Sequence, residues 1–173
     1  KEFIVDPGIS TYEKGEVRNT EKSTINHNTV SVNGQNNNEI WDSFRVGGRG
    51  KSMLISKKTD SIKASVNYPK ENFKHLRSIE FTESNIKIVD EISENTKFGI
   101  CSWHLHPDVK VTLKNNQISL NDGEVVIEFN SNNKSIIKLK DYNYCLGFNK
   151  LINSKKIIIT FSNKIETNIY FYK

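Results

Sequence analysis

The stretch VKVTLKNNQISLNDGEVVIEF, residues 109–129, decides the predicted fold of this chain. Apolar and polar side chains alternate with the two-residue period of half-buried β-strands in three segments, 109–113, 117–120 and 125–129. The segments are separated by Asn115-Asn116 and by Asn121-Asp122-Gly123, and these residue types tolerate the backbone angles of tight turns. The stretch therefore predicts short antiparallel strands joined by turns.

The same alternation recurs along the rest of the chain, in the segments 29–33, 61–66, 87–92, 135–139, 157–161 and 167–172. Helical periodicity finds almost no support, and the polar residues 6–28 are typical of a long loop. Short strands with frequent turns are typical of sandwiches. We therefore predict an all-β fold, an antiparallel β-sandwich of two packed sheets, with residues 1–173 as a single domain.

Composition and charge argue against some kinds of partner. The 173 residues carry a formal net charge of +5, but the basic residues are scattered along the chain, which disfavours nucleic-acid binding. No apolar run approaches the roughly 18–20 residues of a membrane-spanning helix. The chain begins without Met in a strand-like segment, Phe3-Ile4-Val5, so we expect it to be part of a longer protein.

Two cysteines and two tryptophans have both structural and functional interpretations. Cys101 and Cys145 are either small buried residues or partners in a disulfide between neighbouring strands of a protein in an oxidising compartment. Trp41 and Trp103 can stack on sugar rings, but both are first expected in the core of the sandwich.

His104 and His106 are two residues apart in a strand-like segment, which places both on one face of a strand. Metal ligands are spaced in this way in some β folds. No third His, Asp or Glu follows at a recognisable spacing, so the favoured interpretation is a structural pair on the strand surface.

The densest group of chemically active side chains comes early in the chain. A carboxylate, a phenol, a guanidinium and an imidazole are gathered around the predicted loop, at Asp6, Tyr12, Arg18 and His27. This mixture can bind a metal or an acidic sugar. The alternatives are structural: Asp6 opens a turn, His27 is an interior hydrogen-bonded residue, Tyr12 packs the loop onto the sandwich, and Arg18 is exposed without a partner.

This stretch resembles the signature of the heparinase II/III-like family of polysaccharide lyases. The matching residues are Asp6-Pro7-Gly8, Tyr12, Arg18-Asn19, Ser23-Thr24, His27-Asn28-Thr29-Val30 and Gly34-Gln35. The sequence departs from the family pattern at Ile9, Lys22 and Asn33, where Thr, Arg and Asp are usual. Weaker similarities at 75–79, 89–91, 103–109 and 144–148 extend the resemblance over nearly the whole chain.

The resemblance implies that two domains contribute to one substrate site. In the family this region is the C-terminal β-sandwich, which packs against an N-terminal α/α toroid, and the substrate cleft lies between them. Members cleave acidic, uronate-containing polysaccharides by β-elimination, and most of the catalytic groups come from the toroid. The resemblance also implies a periplasmic or secreted protein. A non-catalytic carbohydrate-binding module and a purely structural module are the alternatives.

The resemblance also implies roles for particular residues. Asp6 and His27 correspond to two ligands of a metal, usually zinc, whose third ligand is a His upstream of residue 1, so we expect zinc to bind this chain weakly or not at all. Tyr12 corresponds to a catalytic base, and Arg18, Asn19 and Asn28 are the implied substrate-binding residues. The sequence does not identify the polysaccharide.

Overall fold

The computed structural model describes residues 1–68, 72–131, 133 and 135–172. Its regular elements are α1 (Glu16–Glu21), a 3-10 turn (Thr24–Asn26), β1 (Val30–Val32), β2 (Glu39–Ile40), β3 (Val46–Gly47), β4 (Lys51–Lys57), β5 (Ser61–Asn67), β6 (Lys74–Phe81), β7 (Asn85–Ile92), β8 (Gly99–His104), β9 (Val111–Lys114), β10 (Gln117–Leu120), a second 3-10 turn (Asn121–Gly123), β11 (Val125–Asn130), β12 (Ile136–Gly147), β13 (Lys150–Phe161) and β14 (Lys164–Phe171). The prediction of an all-β fold is confirmed.

Among the described residues, twelve of the fourteen strands form two antiparallel sheets that pack face to face, and β2 and β3 form a separate two-stranded ribbon. One sheet has four strands in the order β1-β8-β13-β12, and the other has eight in the order β4-β5-β6-β7-β14-β11-β10-β9. Side chains from both sheets meet in one apolar cluster, which includes Trp103, Ile157 and Ile159 of the smaller sheet and Ile127 and Ile165 of the larger one. The predicted sandwich of two packed sheets is therefore confirmed.

Two predicted Asn turns have the expected backbone geometry. Asn115 and Asn116 both have positive φ, 49° and 63°, and join β9 to β10. Asn33 and Gly34 have φ of 50° and 74°, and the Gln35 N–H closes this turn by donating to the Val32 carbonyl at 2.9 Å. Asn and Gly adopt these angles at little cost, which is why they signal turns in the sequence.

Residues 6–28 do not form the plain loop that we predicted. The segment contains α1 and the 3-10 turn, and it lies against one face of the smaller sheet. That face is the outer one, because residues such as His104 and Ile158 alternate along β8 and β13 with Trp103 and Ile157, whose side chains are in the core. The segment thus covers the side of the sheet that faces away from the sandwich core.

The two cysteines and two tryptophans divide between core and surface. Cys101 is buried and Cys145 is half-buried, and both thiols are free, so the alternative of a disulfide is wrong. Trp103 is in the core, as expected. Trp41 is 62% exposed, so its expected place in the core is wrong: it lies on the β2–β3 ribbon against Gly47.

A candidate carbohydrate and metal site

Asp6 and His27, the predicted metal ligands, are hydrogen-bonded neighbours. The distance from His27 Nδ1 to Asp6 Oδ2 is 2.8 Å, and both side chains remain partly exposed. The other oxygen of Asp6 accepts a hydrogen bond from the Gly8 N–H at 3.2 Å, so the Asp-Pro-Gly turn fixes the carboxylate. This pairing leaves His27 Nε2 free for a ligand, since no hydrogen bond to a described residue uses it.

The Asp-Pro-Gly turn is attached to the end of the β12–β13 hairpin. The Cys145 N–H donates to the Pro7 carbonyl at 2.8 Å, and the Cys145 thiol donates to the Ile9 carbonyl at 3.0 Å. Gly8 has φ +81° and approaches so closely that an added Cβ would lie 3.2 Å from Cys145 Cβ. A glycine at this position therefore allows both the turn and its contact with the sheet.

Asn28, a predicted substrate-binding residue, joins three segments of the protein. Its Nδ2 donates to the Val5 carbonyl at 3.0 Å, and its Oδ1 accepts from the His104 backbone N–H at 2.8 Å. Its backbone carbonyl accepts from Arg77 Nη1 at 2.7 Å. The amide group of Asn28 is thus engaged within the protein, where it positions the neighbouring His27.

Beneath Asn28 lies a buried ionic network that sequence reasoning did not identify. Asp90 is fully buried and accepts hydrogen bonds from Arg77 Nε at 2.6 Å, from Arg77 Nη2 at 3.0 Å and from His75 Nε2 at 2.6 Å. The Arg77 guanidinium also lies over the Trp103 ring, 5.0 Å from its centroid. The available signal was a His-x-Arg strand followed by a strand with Asp, because β6 and β7 place Arg77 opposite Asp90.

Arg77 and His75 determine the protonation of Asp90. Burial alone raises the pKa of Asp90, but the charge of Arg77 and the hydrogen bonds from His75 and Arg77 outweigh burial and lower that pKa to about 2. The carboxylate therefore stays ionised at neutral pH and keeps Arg77 directed at Asn28.

His104 is a buried neutral histidine, so the expected His104–His106 pair on a strand surface is wrong. His104 is fully buried, and His106 lies beyond the end of β8 against Tyr144. Burial, the largest cause, and the charge of Lys156 lower the pKa of His104 to about 3. Because Asn28 Oδ1 is an acceptor 3.1 Å from His104 Nδ1, Nδ1 carries the proton and Nε2 presents a lone pair without a partner in the described part of the chain.

Tyr12 and Arg18 lie together in a second cluster. Tyr12 is 53% exposed, and its ring stacks with Phe44 and with Phe148 at centroid distances of 5.6 and 6.4 Å. The Arg18 guanidinium lies 6.0 Å from the Tyr12 ring centroid. No described residue accepts a hydrogen bond from the Tyr12 hydroxyl, which leaves that group available to a ligand.

The alternative interpretation of Arg18 as exposed and unpartnered is wrong. Arg18 is 8% exposed, and its Nη1 lies 3.6 Å from Glu21 Oε2 within α1. The other Glu21 oxygen accepts hydrogen bonds from the Ser10 N–H and hydroxyl. Asn19, on the same helix, is exposed. The cluster therefore offers a ligand the Tyr12 hydroxyl and Asn19 directly, and Arg18 only through a small exposed fraction.

The described residues do not complete a zinc site. An oxygen and a nitrogen ligand suit zinc, but a structural or catalytic zinc needs at least three protein ligands. Among residues 1–68, 72–131, 133 and 135–172, no group of three or more His, Cys, Asp or Glu side chains is placed to hold a metal ion. Zinc binding by Asp6 and His27 therefore needs a ligand from outside the described residues.

Fold and site together define a class of protein: an antiparallel β-sandwich domain whose early loop carries an exposed Asp–His pair and an aromatic cluster. The sequence model of the family described as Heparinase II/III-like, C-terminal, matches residues 1–172. The chain belongs to this family. A search of the curated proteins finds no match.

Solved structures support the same fold. The chain is similar to heparan sulfate lyase HepC from Pedobacter heparinus, with a TM-score of 0.78 and 16% identity over 100% of this chain and 29% of that one. It is also similar to two heparinase III structures. One has a TM-score of 0.80 and 18% identity over 100% of this chain and 28% of that one. The other has a TM-score of 0.77 and 17% identity over 99% and 28%. The chain thus spans less than a third of the length of these proteins.

No helix among the described residues has both the length and the apolar character needed to cross a bilayer.

Proposed function

We propose that this chain is the C-terminal domain of a polysaccharide lyase that cleaves a uronate-containing polysaccharide by β-elimination. The observation that carries the proposal is the family match over residues 1–172. The names of the similar structures, heparan sulfate lyase and heparinase III, support an acidic glycosaminoglycan as the class of substrate. The partner in this proposal is an N-terminal α/α toroid of the same protein.

In this proposal the segment 6–28 forms one wall of the substrate cleft. Its Asp–His pair and Tyr12 are exposed to solvent, so a second domain or a polymer can reach them. Asn28 and the buried Arg77–Asp90 pair beneath it hold the segment in place. A rigid wall is what a cleft requires, because reacting groups lose efficiency when they are displaced by about 1 Å.

β-Elimination needs three groups around the uronate. A base removes the proton on C5, a positive or hydrogen-bonding group neutralises the adjacent carboxylate, and an acid protonates the departing oxygen on C4. Tyr12 is the candidate base from this chain, and Arg18 and Asn19 are candidates for contacts with acidic substituents. The remaining groups belong to the toroid in this proposal.

The metal proposal requires a third ligand from outside this chain. Asp6 and His27 would contribute two zinc ligands in the full-length protein, where bound zinc would supply positive charge at the cleft wall. A zinc content that is unchanged by His27→Ala would contradict this assignment.

A non-catalytic carbohydrate-binding domain is the second candidate function. The stacked, exposed rings of Tyr12, Phe44 and Phe148 favour it, because aromatic faces bind the apolar faces of sugar rings without any chemistry. This candidate predicts binding of a glycan but no change in its covalent structure.

The two candidates are distinguished by the product. The full-length protein is mixed separately with heparan sulfate, alginate and glucuronan, and the ultraviolet absorbance of the new carbon–carbon double bond is followed. A lyase produces rising absorbance with at least one of these polymers and none with a neutral dextran. Binding without any rise in absorbance would support the carbohydrate-binding candidate and overturn the lyase.

A further inference from the structure

Three lysines share the outer face of the smaller sheet. Lys138 and Lys140 lie on β12, and Lys156 lies on β13. Lys140 and Lys156 are directly opposite in the antiparallel register. Like charges in directly opposed positions of an antiparallel pair are destabilising, so this arrangement has a cost in the free protein.

The three lysines form no ion pair with a carboxylate among the described residues. The adjacent Asp141 pairs instead with Lys155, at 2.7 Å. On the other side, Lys156 faces the neutral His104 in the register of β13 with β8.

Lys156 is half-buried, which increases the cost of its charge. Burial, the largest cause, and the neighbouring Lys140 lower the pKa of Lys156. A bound anion would relieve both effects, because it would replace lost hydration and would offset the repulsion between the lysines.

The lysines border a small cavity with an apolar floor. The cavity has a volume of about 280 Å³, and its apolar lining is formed by Ile25, Ile100, Ile136 and Ile158. Ligand pockets generally range from roughly 300 to 1,000 Å³, so this space suits one ring of a chain better than a large ligand. A sugar ring has an apolar C–H face for the isoleucines, and its carboxylate or sulfate can accept hydrogen bonds from the ammonium groups.

A second cavity continues from the first one towards α1. Lys156 lines both cavities, and the second, of about 430 Å³, is also lined by three acidic residues, Glu16, Glu21 and Asp141. Because these carboxylates repel anions, the carboxylate or sulfate of a ligand is better placed in the first cavity, beside the three lysines.

We propose that Lys138, Lys140 and Lys156 form a subsite for the carboxylate or sulfate groups of an acidic polysaccharide, on the outer face of the smaller sheet. The identity of the polymer rests on the proposed function. The subsite uses none of the residues of the Asp6–His27 pair or the Tyr12 cluster.

The test compares two triple variants with equal loss of charge. Lys138→Gln/Lys140→Gln/Lys156→Gln removes the subsite, whereas Lys51→Gln/Lys57→Gln/Lys114→Gln removes three exposed lysines from edge strands of the larger sheet. Affinity for size-defined heparan sulfate, alginate and glucuronan oligosaccharides is measured by calorimetry at low and physiological salt. The subsite variant should bind about tenfold more weakly than the wild type, and the control variant less than about twofold. Equal losses in the two variants would overturn the proposal.

A single substitution tests the subsite even if the triple variant does not fold. Lys140→Glu places a carboxylate opposite Lys156, so it should raise the melting temperature while it weakens oligosaccharide binding. A variant that binds as tightly as the wild type would overturn the subsite.

The outcomes also separate this inference from the proposed function. If the subsite variant binds more weakly but the full-length protein forms no double bond, the subsite is supported and the lyase function is contradicted. Double-bond formation with oligosaccharide binding that is unchanged in the subsite variant would retain the lyase and reject the subsite.

Discussion

Asp90 is the side chain beside the site whose replacement we expect to lower the free energy of unfolding most. Replacing it with Asn leaves the half-buried Arg77, whose side chain is 18% exposed, without its counter-charge, and breaking a buried ion pair typically costs roughly 3–5 kcal/mol. We expect Asp90→Asn to lower the free energy of unfolding in denaturant by this amount. The control is Asp60→Asn, at an exposed carboxylate, which should change it by less than about 0.5 kcal/mol. Similar losses in the two variants would contradict the role of the network.

Asp90 also accounts for part of the loss of folding stability at low pH. Folding lowers the pKa of Asp90 from 3.8 to about 2, so the unfolded chain binds this proton at a higher pH than the folded chain does. The contribution of Asp90 to stability is therefore fully present above about pH 4 and is lost as the pH falls towards 2. A stability–pH curve of Asp90→Asn that falls as steeply over this interval as that of the wild type would contradict this assignment.

At the scale of residues, the sequence predicted which side chains act together better than it predicted which side chains are buried or paired. The prediction that Asp6 and His27 act together fits their contact of 2.8 Å. The burial of Arg18 against Glu21 could not be predicted, because it depends on how α1 lies on the sheet. The His-x-Arg and Asp strands were visible in the sequence, but pairing Arg77 with Asp90 also requires the register of β6 against β7.

At the scale of elements, the Asp-Pro-Gly turn links the candidate site to the β12–β13 hairpin. Gly8→Ala adds a methyl group at φ +81° and 3.2 Å from Cys145 Cβ, whereas Gly34→Ala adds one at φ +74° with no atom within 4 Å. The control variant therefore measures backbone strain alone, which costs about 1 kcal/mol. We expect Gly8→Ala to lower the melting temperature more than Gly34→Ala. Equal shifts would show that the turn tolerates the extra atom.

Elements with a strong two-residue period were predicted well, and short or polar elements were not. The strand predicted at 157–161 is the end of the longer β13, whose first half is exposed and lacks apolar alternation. The helix α1 has six residues, which is too short to display a helical period. Only Arg18 and Glu21 of this helix are buried, and the hydrogen bonds from Ser10 to Glu21 supply tertiary stability that so short a helix lacks alone.

At the scale of the whole molecule, alternation and turns were sufficient to predict a sandwich of two sheets. They did not predict which face of which sheet the early segment covers, because that choice depends on contacts between distant residues such as Val5, Asn28 and His104. This placement brings the early segment, through Ile25, to the sheet face that also carries the three lysines.

The central claim is that the segment 6–28 and the sheet face beneath it form the polysaccharide-facing wall. Hydrogen–deuterium exchange of the protein with and without a saturating acidic oligosaccharide tests this claim most directly. We predict slower exchange in residues 6–28 and 136–158 and unchanged exchange in the β9–β10 hairpin at the far edge of the larger sheet. Protection confined to β9 and β10, or none in residues 6–28 while the oligosaccharide is bound, would contradict it.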